Sequence, residues 1–190
     1  MFDSWNLPTK LEISGKQYSI RTDFRAVIDI LRAQADADLT NQEKMQVLFE
    51  ILFINPECIP QKYMEEAYKK AVEFIDCGIK GDGRKRPRMM DWEQDSAVII
   101  PAVNKVLGKE IRSMPYCHWW TFLGAYMEIG DGVYQQILQI RQKKLKGKKL
   151  EKWEKEFYAA NKNMIDLRAK IPERPADEKE EIRNLFGYGK

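Results

Sequence analysis

The chain has 190 residues, of which 44% are hydrophobic and 32% are charged, so it can bury a sizeable core without disulfides or metals. Its net charge of +3 excludes the global basic field of a dedicated DNA-binding protein. Cys58, Cys77 and Cys117 lie far apart, which argues against a disulfide framework and fits a reducing cytoplasm. The sequence has no apolar run of the roughly 18 residues that a membrane span needs, and its first residues do not follow the order of a signal peptide.

The N-terminal segment alternates apolar and polar residues over two short runs, 11–13 and 17–20, which are separated by a turn that contains Gly15. This pattern is typical of a β-hairpin, and we predict one over about residues 10–21. An isolated two-stranded hairpin is only marginally stable in water. We therefore expect the hairpin to pack on helices or to pair with another chain.

Helical periodicity begins directly after the hairpin. The first predicted helix follows an N-cap at Thr22 or Asp23, and its apolar residues recur at i, i+3, i+4 and i+7 from Phe24. The second follows Thr40, with Glu43 completing a capping box. Its apolar residues spread so widely around the helix that we expect burial on nearly all sides.

Four further helices are predicted between residues 60 and 141. One ends at Gly78, a typical C′ residue. The next covers residues 91–107 and should be kinked by Pro101, whose ring clashes with the preceding turn. Another begins at Pro115, a favoured first-turn position, and a shorter one runs over about 132–141.

The last predicted helix spans roughly residues 148–170 and carries a narrow apolar seam. Its apolar residues repeat in alternating steps of three and four, as a and d positions do in a coiled coil. Such a seam suits a helix that lies against one partner element, within this chain or in another. The seam consists of Leu150, Trp153, Phe157, Ala160, Met164, Leu167 and Ile171.

These elements predict a mainly α fold, a multi-helix domain of about six to seven helices with a small N-terminal hairpin. We predict one domain over residues 1–171. It contains a mobile basic loop at about 79–89, where glycines and a proline interrupt the helical pattern. Residues 172–190 are polar and proline-broken, and we expect them to be disordered.

Cys117 and His118, the only histidine, are adjacent and would face different sides of a helix, which disfavours a Cys–His nucleophile. We expect His118 to cap or hydrogen-bond near the helix start. Asp91 and Asp95 share a helix face and could bind a metal, but acids at a helix N-terminus also suit the helix dipole. With no phosphate loop or zinc motif present, we expect no enzyme activity, cofactor or metal.

Two basic clusters support an alternative function, a small nucleic-acid-binding protein. Solvated loops and helix ends have the same composition, so the pattern does not distinguish a nucleic-acid-binding surface from ordinary solvent-exposed segments. The candidate residues for this alternative are Arg84, Lys85, Arg86, Arg88, Lys143 and Lys144.

Trp119 and Trp120 are adjacent, so their side chains point about 100° apart on a helix. Trp119 lies on the main apolar stripe, and we expect it in the core. Trp120 lies off that stripe and is a candidate for a partner contact. Together with part of the C-terminal seam, it forms a predicted partner-binding set of Trp120, Trp153, Phe157, Met164 and Leu167.

Three motifs occur in a fixed order: Asp91-Trp92-Glu93-Gln94-Asp95, then Trp119-Trp120-Thr121-Phe122 after His118, then Ile140-Arg141. In these motifs and their order, the chain resembles a family of small proteins from tailed bacteriophages of Gram-positive hosts. The resemblance covers roughly residues 10–165 and is sharpest from 90 to 142. The matching residues are Asp91, Asp95, His118, Trp119, Trp120, Phe122 and Arg141.

The resemblance implies a role in phage tail assembly. Members of that family lie among tail genes, near those of the tail tube and the tape measure, and are regarded as tail assembly chaperones. It implies that the chain binds hydrophobic helices of the tape-measure protein in the host cytoplasm, with the tail tube protein as a further possible partner. We also expect a homo-oligomer, without membrane contact.

Overall fold

The computed structural model describes residues 5–79, 81 and 87–168. Within that part of the chain it contains a two-stranded sheet and eight α-helices, which confirms the predicted mainly helical fold with an N-terminal hairpin. The predicted C-terminal tail and most of the predicted basic loop, including Arg84, Lys85 and Arg86, lie outside the described residues. The elements are β1 (Lys10–Ile13), β2 (Lys16–Ser19), α1 (Phe24–Ala35), α2 (Asn41–Leu52), α3 (Met64–Ile75), α4 (Ser96–Leu107), α5 (Trp119–Met127), α6 (Val133–Leu145), α7 (Lys152–Ala160) and α8 (Lys162–Ile165).

The predicted hairpin pairs Lys10–Ile13 with Lys16–Ser19 in antiparallel register and packs on α3. Ser14 and Gly15 form its two-residue turn with φ angles of 49° and 77°, the pair of positive values that a type I′ turn requires. Leu11 and Ile13 point into the core and are 0% and 1% exposed. The backbone N–H of Ser14 donates to a carboxylate oxygen of Glu66 in α3 at 3.0 Å. Packing on a helix therefore supplies the stability that an isolated hairpin lacks.

Both predicted N-caps of the first two helices are confirmed. Asp23 accepts a hydrogen bond from the N–H of Arg25 at the start of α1. Thr40 and Glu43 form the capping box of α2. The predicted burial of α2 on nearly all sides is wrong, because Met45 is 38% exposed and Leu48, Phe49 and Leu52 form the only fully buried face.

The fourth and fifth helices begin later than predicted. Residues 92–95 form a turn, so α4 starts at Ser96 rather than Asp91. Helix α5 starts at Trp119 rather than Pro115, because the backbone of His118 is extended and the backbone of Cys117 bonds to Asp23 and Phe24. A long-range contact thus replaces the helical bonds that Pro115 would have started.

The single C-terminal helix predicted over 148–170 is wrong. Asn161 separates α7 from α8, and its side-chain N–H donates back to the carbonyl of Phe157 at 2.9 Å. The break turns Ile165 into a small second core beside Ile137 and Ile140 of α6. Burial of Ile165 and the hydrogen bonds of its neighbours therefore outweigh the continuity of one helix.

The main core joins the hairpin, α1 to α5 and the start of α6. Its largest fully buried side chains include Trp119, Phe53, Phe74 and Phe122. None of the described helices has the combination of length and apolar character that crossing a bilayer requires.

Candidate interaction surface

Asp95 and Arg141 form a buried ion pair at the centre of the C-terminal half. Arg141 donates from Nη1 and Nη2 to the two carboxylate oxygens of Asp95 at 2.7 and 2.8 Å. The two side chains are 0% and 5% exposed. Such a bidentate pair is strong and fixes the orientation of both groups.

The remaining donors of Arg141 hold two other segments in place. Nε donates to the carbonyl of Ile165 at 2.6 Å and Nη2 to that of Met164 at 2.9 Å. Nη1 also donates to the carbonyl of Met89 at 3.0 Å. All five N–H groups are therefore used, and the residue is a structural hub that joins α6, α8 and the segment before α4.

Asp91 is likewise structural. One of its carboxylate oxygens accepts from the N–H groups of Glu93 and Gln94 at 2.9 and 2.7 Å, and the other pairs with Arg88. Burial alone would raise the pKa of Asp91, but these hydrogen bonds and Arg88 outweigh it and lower that pKa. The possible metal pair is therefore engaged in other contacts, and no cluster of three or more metal-ligating side chains occurs among the described residues.

His118 is the N-cap of α5, as the sequence predicted. Its Nδ1 accepts from the N–H of Trp120 at 3.0 Å, and its Nε2 lies 3.0 Å from the carbonyl oxygen of Pro8. Because that carbonyl can only accept, the hydrogen is on Nε2. Because Nδ1 is itself an acceptor, it carries no hydrogen and the ring is neutral. Burial lowers the pKa of His118, and the bond to Pro8 opposes that effect only in part. Asp23 and His118 also face each other in an antiparallel bridge that ties the starts of α1 and α5 together.

The two adjacent tryptophans have different environments. Trp119 is 1% exposed and donates from Nε1 to the carbonyl of Ile75 at 2.8 Å, which confirms its place in the core. Trp120 is half-buried, stacks on Phe74 with ring centroids 6.1 Å apart, and donates to the carbonyl of Phe74 at 2.9 Å. Much of Trp120 thus contacts its own chain, and its use by a partner remains a prediction.

The other predicted partner residues do not form one continuous seam. Trp153 and Met164 are 49% and 36% exposed. Phe157 and Leu167 are half-buried, and Phe157 packs against the second core. Two of the four are therefore accessible to a partner, on two separate short helices.

Lys143 and Lys144, the candidate residues at the end of α6, are paired with acids. Lys143 contacts both carboxylate oxygens of Glu154 at 2.7 and 2.8 Å, and its hydrogen bond lowers the pKa of that buried acid. Lys144 pairs with Asp166 and donates to the hydroxyl of Tyr158. These contacts neutralise part of the charge that a nucleic-acid phosphate would need.

An apolar groove that the sequence reasoning did not identify runs along α4. Its volume is about 510 Å³, within the usual range of binding clefts. Ala97, Pro101, Ala102 and Val106 of α4 form one wall, and residues 128–134 form the other. We call it the α4 groove. The sequence feature that could have indicated this groove is the composition of α4, in which Lys105 is the only charged residue.

A second groove, of about 350 Å³, lies between α1 and α4. Phe24 and Phe122 line it and stack with ring centroids 4.7 Å apart. Arg32 at its rim pairs with Asp29 at 3.6 Å and with Glu93 at 3.3 Å. The charges around this groove therefore already have partners within the chain.

Comparison with known proteins identifies the family of this chain. The model of the family described as Bacteriophage Gp15 protein matches residues 4–167. No curated protein and no solved structure matches the chain. The matched range includes the hub of Asp95 and Arg141, the tryptophan pair and the α4 groove, and the family indicates a phage structural or assembly-related protein. The chain belongs to the Bacteriophage Gp15 protein family.

Proposed function

We propose that this protein is a non-enzymatic tail assembly chaperone, which binds apolar helical segments of the phage tape-measure protein in the host cytoplasm. Membership of a phage structural or assembly-related family supports the general role. In this proposal the tail tube protein and further copies of the chain are additional partners. The chaperone role itself rests on the surface of the molecule.

The observation that carries the proposal is the exposure of large apolar side chains in the C-terminal half. Five such residues, each at least 36% exposed, occur between residues 127 and 164. Large exposed apolar areas mark interaction sites, and these five residues place exposed apolar side chains on each of α5 to α8. Two of the five are methionines, whose flexible side chains adapt to varied partners. They are Met127, Val133, Leu145, Trp153 and Met164.

A helical partner suits this surface. Long apolar helices aggregate when they stand alone, and a groove or helix face that covers their apolar stripe removes that surface from water. Binding of this kind needs shape and apolar area but no catalytic group. The pairing of Lys143 and Lys144 with Glu154 and Asp166 gives no comparable support to nucleic-acid binding.

Co-expression with the tape-measure protein of the same phage tests the proposal. We expect the soluble fraction of the tape-measure protein to rise and the two proteins to co-purify. Unchanged solubility, together with a salt-dependent shift of duplex DNA by the purified chain, would favour the nucleic-acid alternative and refute the chaperone role.

A further inference from the structure

The geometry points to the α4 groove as the docking site for one amphipathic helix of the partner, with an apolar stripe bordered by basic residues. This inference rests on the proposed function and assigns it to a place in the fold. It differs from the predicted partner set, because none of Trp120, Trp153, Phe157, Met164 and Leu167 lines this groove.

The wall that α4 contributes is apolar although it faces outward. Ile99 and Val103 turn inward and are 2% and 0% exposed. Ala97 and Pro101 are exposed on the other side of the helix, and Val106 is 41% exposed. An outward helix face normally carries charged residues. Here small apolar groups line about two turns, a length that suits contact with another helix.

The opposite wall leaves room for incoming side chains. Gly130 and Gly132 form part of it, and a Cβ added at either would meet nothing within 4 Å. Ile129 closes the floor at 7% exposed, and Val133 at the start of α6 is 50% exposed. The groove is therefore open above two residues that have no side chains, and an apolar residue lies on either side of them in the sequence.

Pro101 adds a polar feature to this wall. Because proline has no N–H, the carbonyl of Ala97 lacks its usual donor four residues later. Ala97 and Pro101 both line the groove. A hydroxyl or ammonium group of the partner helix can donate to this carbonyl.

The charges at the rim determine the character of the partner. Glu128 and Asp131 lie on the loop side, Lys105 lies on the α4 side, and none of the three has a charged partner among the described residues. Two acids against one base favour a helix with Lys or Arg beside its apolar stripe. In a symmetric dimer a second copy of this chain would bring the same acidic rim against itself.

The groove between α1 and α4 fits this role less well. Its rim charges, Asp29, Arg32 and Glu93, already satisfy each other, so a charged partner would have to break those pairs. Its volume of about 350 Å³ is also smaller than the 510 Å³ of the α4 groove.

Two pairs of substitutions separate the groove from the rest of the apolar surface. Val106→Asp with Val133→Asp places charge on both walls, whereas Ile54→Asp with Ile79→Asp places it on residues that are at least as exposed and do not line the groove. The probes are the co-expressed tape-measure protein and overlapping helical peptides that cover its sequence. We expect at least about tenfold weaker peptide binding for the groove pair and wild-type binding for the control pair.

Charge reversal provides a second test, which applies even if the groove pair fails to fold. Glu128→Lys with Asp131→Lys should weaken binding, Lys105→Glu should strengthen it, and both effects should shrink with added salt. All three side chains are exposed, so the fold should tolerate the changes.

The outcomes distinguish this inference from the proposed function. If the wild-type chain binds no peptide and leaves the tape-measure protein insoluble, the proposed function is wrong. If the wild type binds and the groove and reversal variants bind equally well, the function stands and the groove assignment is wrong. The assignment also fails if the groove pair changes only the oligomeric state in sedimentation, because the groove would then be a contact between copies.

Discussion

Arg141 in α6 holds Asp95 at the start of α4 through two parallel hydrogen bonds of 2.7 and 2.8 Å, across 46 positions of sequence. The same guanidinium binds the carbonyls of Met164 and Ile165. Asp95 also accepts from the backbone N–H of Asp91 at 2.9 Å. One buried ion pair therefore connects the beginning of α4, the middle of α6 and the end of α8.

Arg141→Met should lower the free energy of unfolding by about 3–5 kcal/mol, because it leaves the Asp95 carboxylate buried without its cation. Urea denaturation followed by circular dichroism measures this loss. Asp95→Leu added to Arg141→Met should recover only part of it, since the carbonyls of Met89, Met164 and Ile165 still lack donors. Amide exchange should also become faster at α8 in the single variant.

Arg112→Met is the matched control for that experiment. Arg112 pairs with Glu110 in a similar way, but both side chains are exposed, at 66% and 41%. Solvent screens such a pair, and we expect little change in stability. Equal losses at Arg141 and Arg112 would contradict the role of the buried pair as a hub.

Acidification should destabilise the protein through His118, before most carboxylates titrate. Burial lowers the pKa of His118 below its ordinary value of 6.5, so the unfolded chain binds the proton more readily. The stability that neutral His118 contributes is therefore fully present above pH 6.5 and is lost as the pH falls below that value. Unfolding measured in urea at several pH values should show this slope.

The substitution His118→Asn tests that assignment. Asn retains an acceptor for the N-cap of α5 but does not titrate, and His118 is the only histidine in the chain. The slope just below pH 6.5 should disappear in this variant. A slope that persists there would assign the pH dependence to another group.

Trp119→Ala and Trp120→Ala should differ in their cost. The first opens a cavity in the main core and should lower stability by about 3–5 kcal/mol. The second removes a half-buried ring that stacks on Phe74, so its loss should be clearly smaller but measurable. Circular dichroism rather than tryptophan fluorescence should follow unfolding. If Trp120→Ala costs nothing, its side chain is available mainly for a partner.

Gly15→Ala should destabilise the hairpin by roughly 1–2 kcal/mol, because a Cβ is strained at its φ of 77°. Gly124→Ala in α5 is the control with the opposite sign. Gly124 lies inside a helix, and an added Cβ there meets nothing within 4 Å. Helix propensity then predicts stabilisation of about 0.5–1 kcal/mol. Thermal melts of both variants measure the two changes in stability. If both changes had the same sign, the turn geometry would be unimportant.

The sequence by itself determined the features that depend on neighbours a few positions away. The N-cap at Asp23, the capping box of Thr40 and Glu43, and the turn at Gly15 were predictable because each is formed by bonds within one short segment. The N-cap role of His118 belongs to the same class, since it binds the N–H two residues later.

Only the tertiary structure decided the features that depend on distant partners. Helix α5 begins late because Cys117 bonds to Asp23, and the C-terminal helix breaks at Asn161, where Ile165 enters the second core. Periodicity predicted a continuous seam there, because it records which residues are apolar and not which neighbour covers them. The α4 groove arises for the same reason. Its apolar wall was visible in the sequence, but only the position of residues 128–134 shows that no helix of the described chain fills the space beside it.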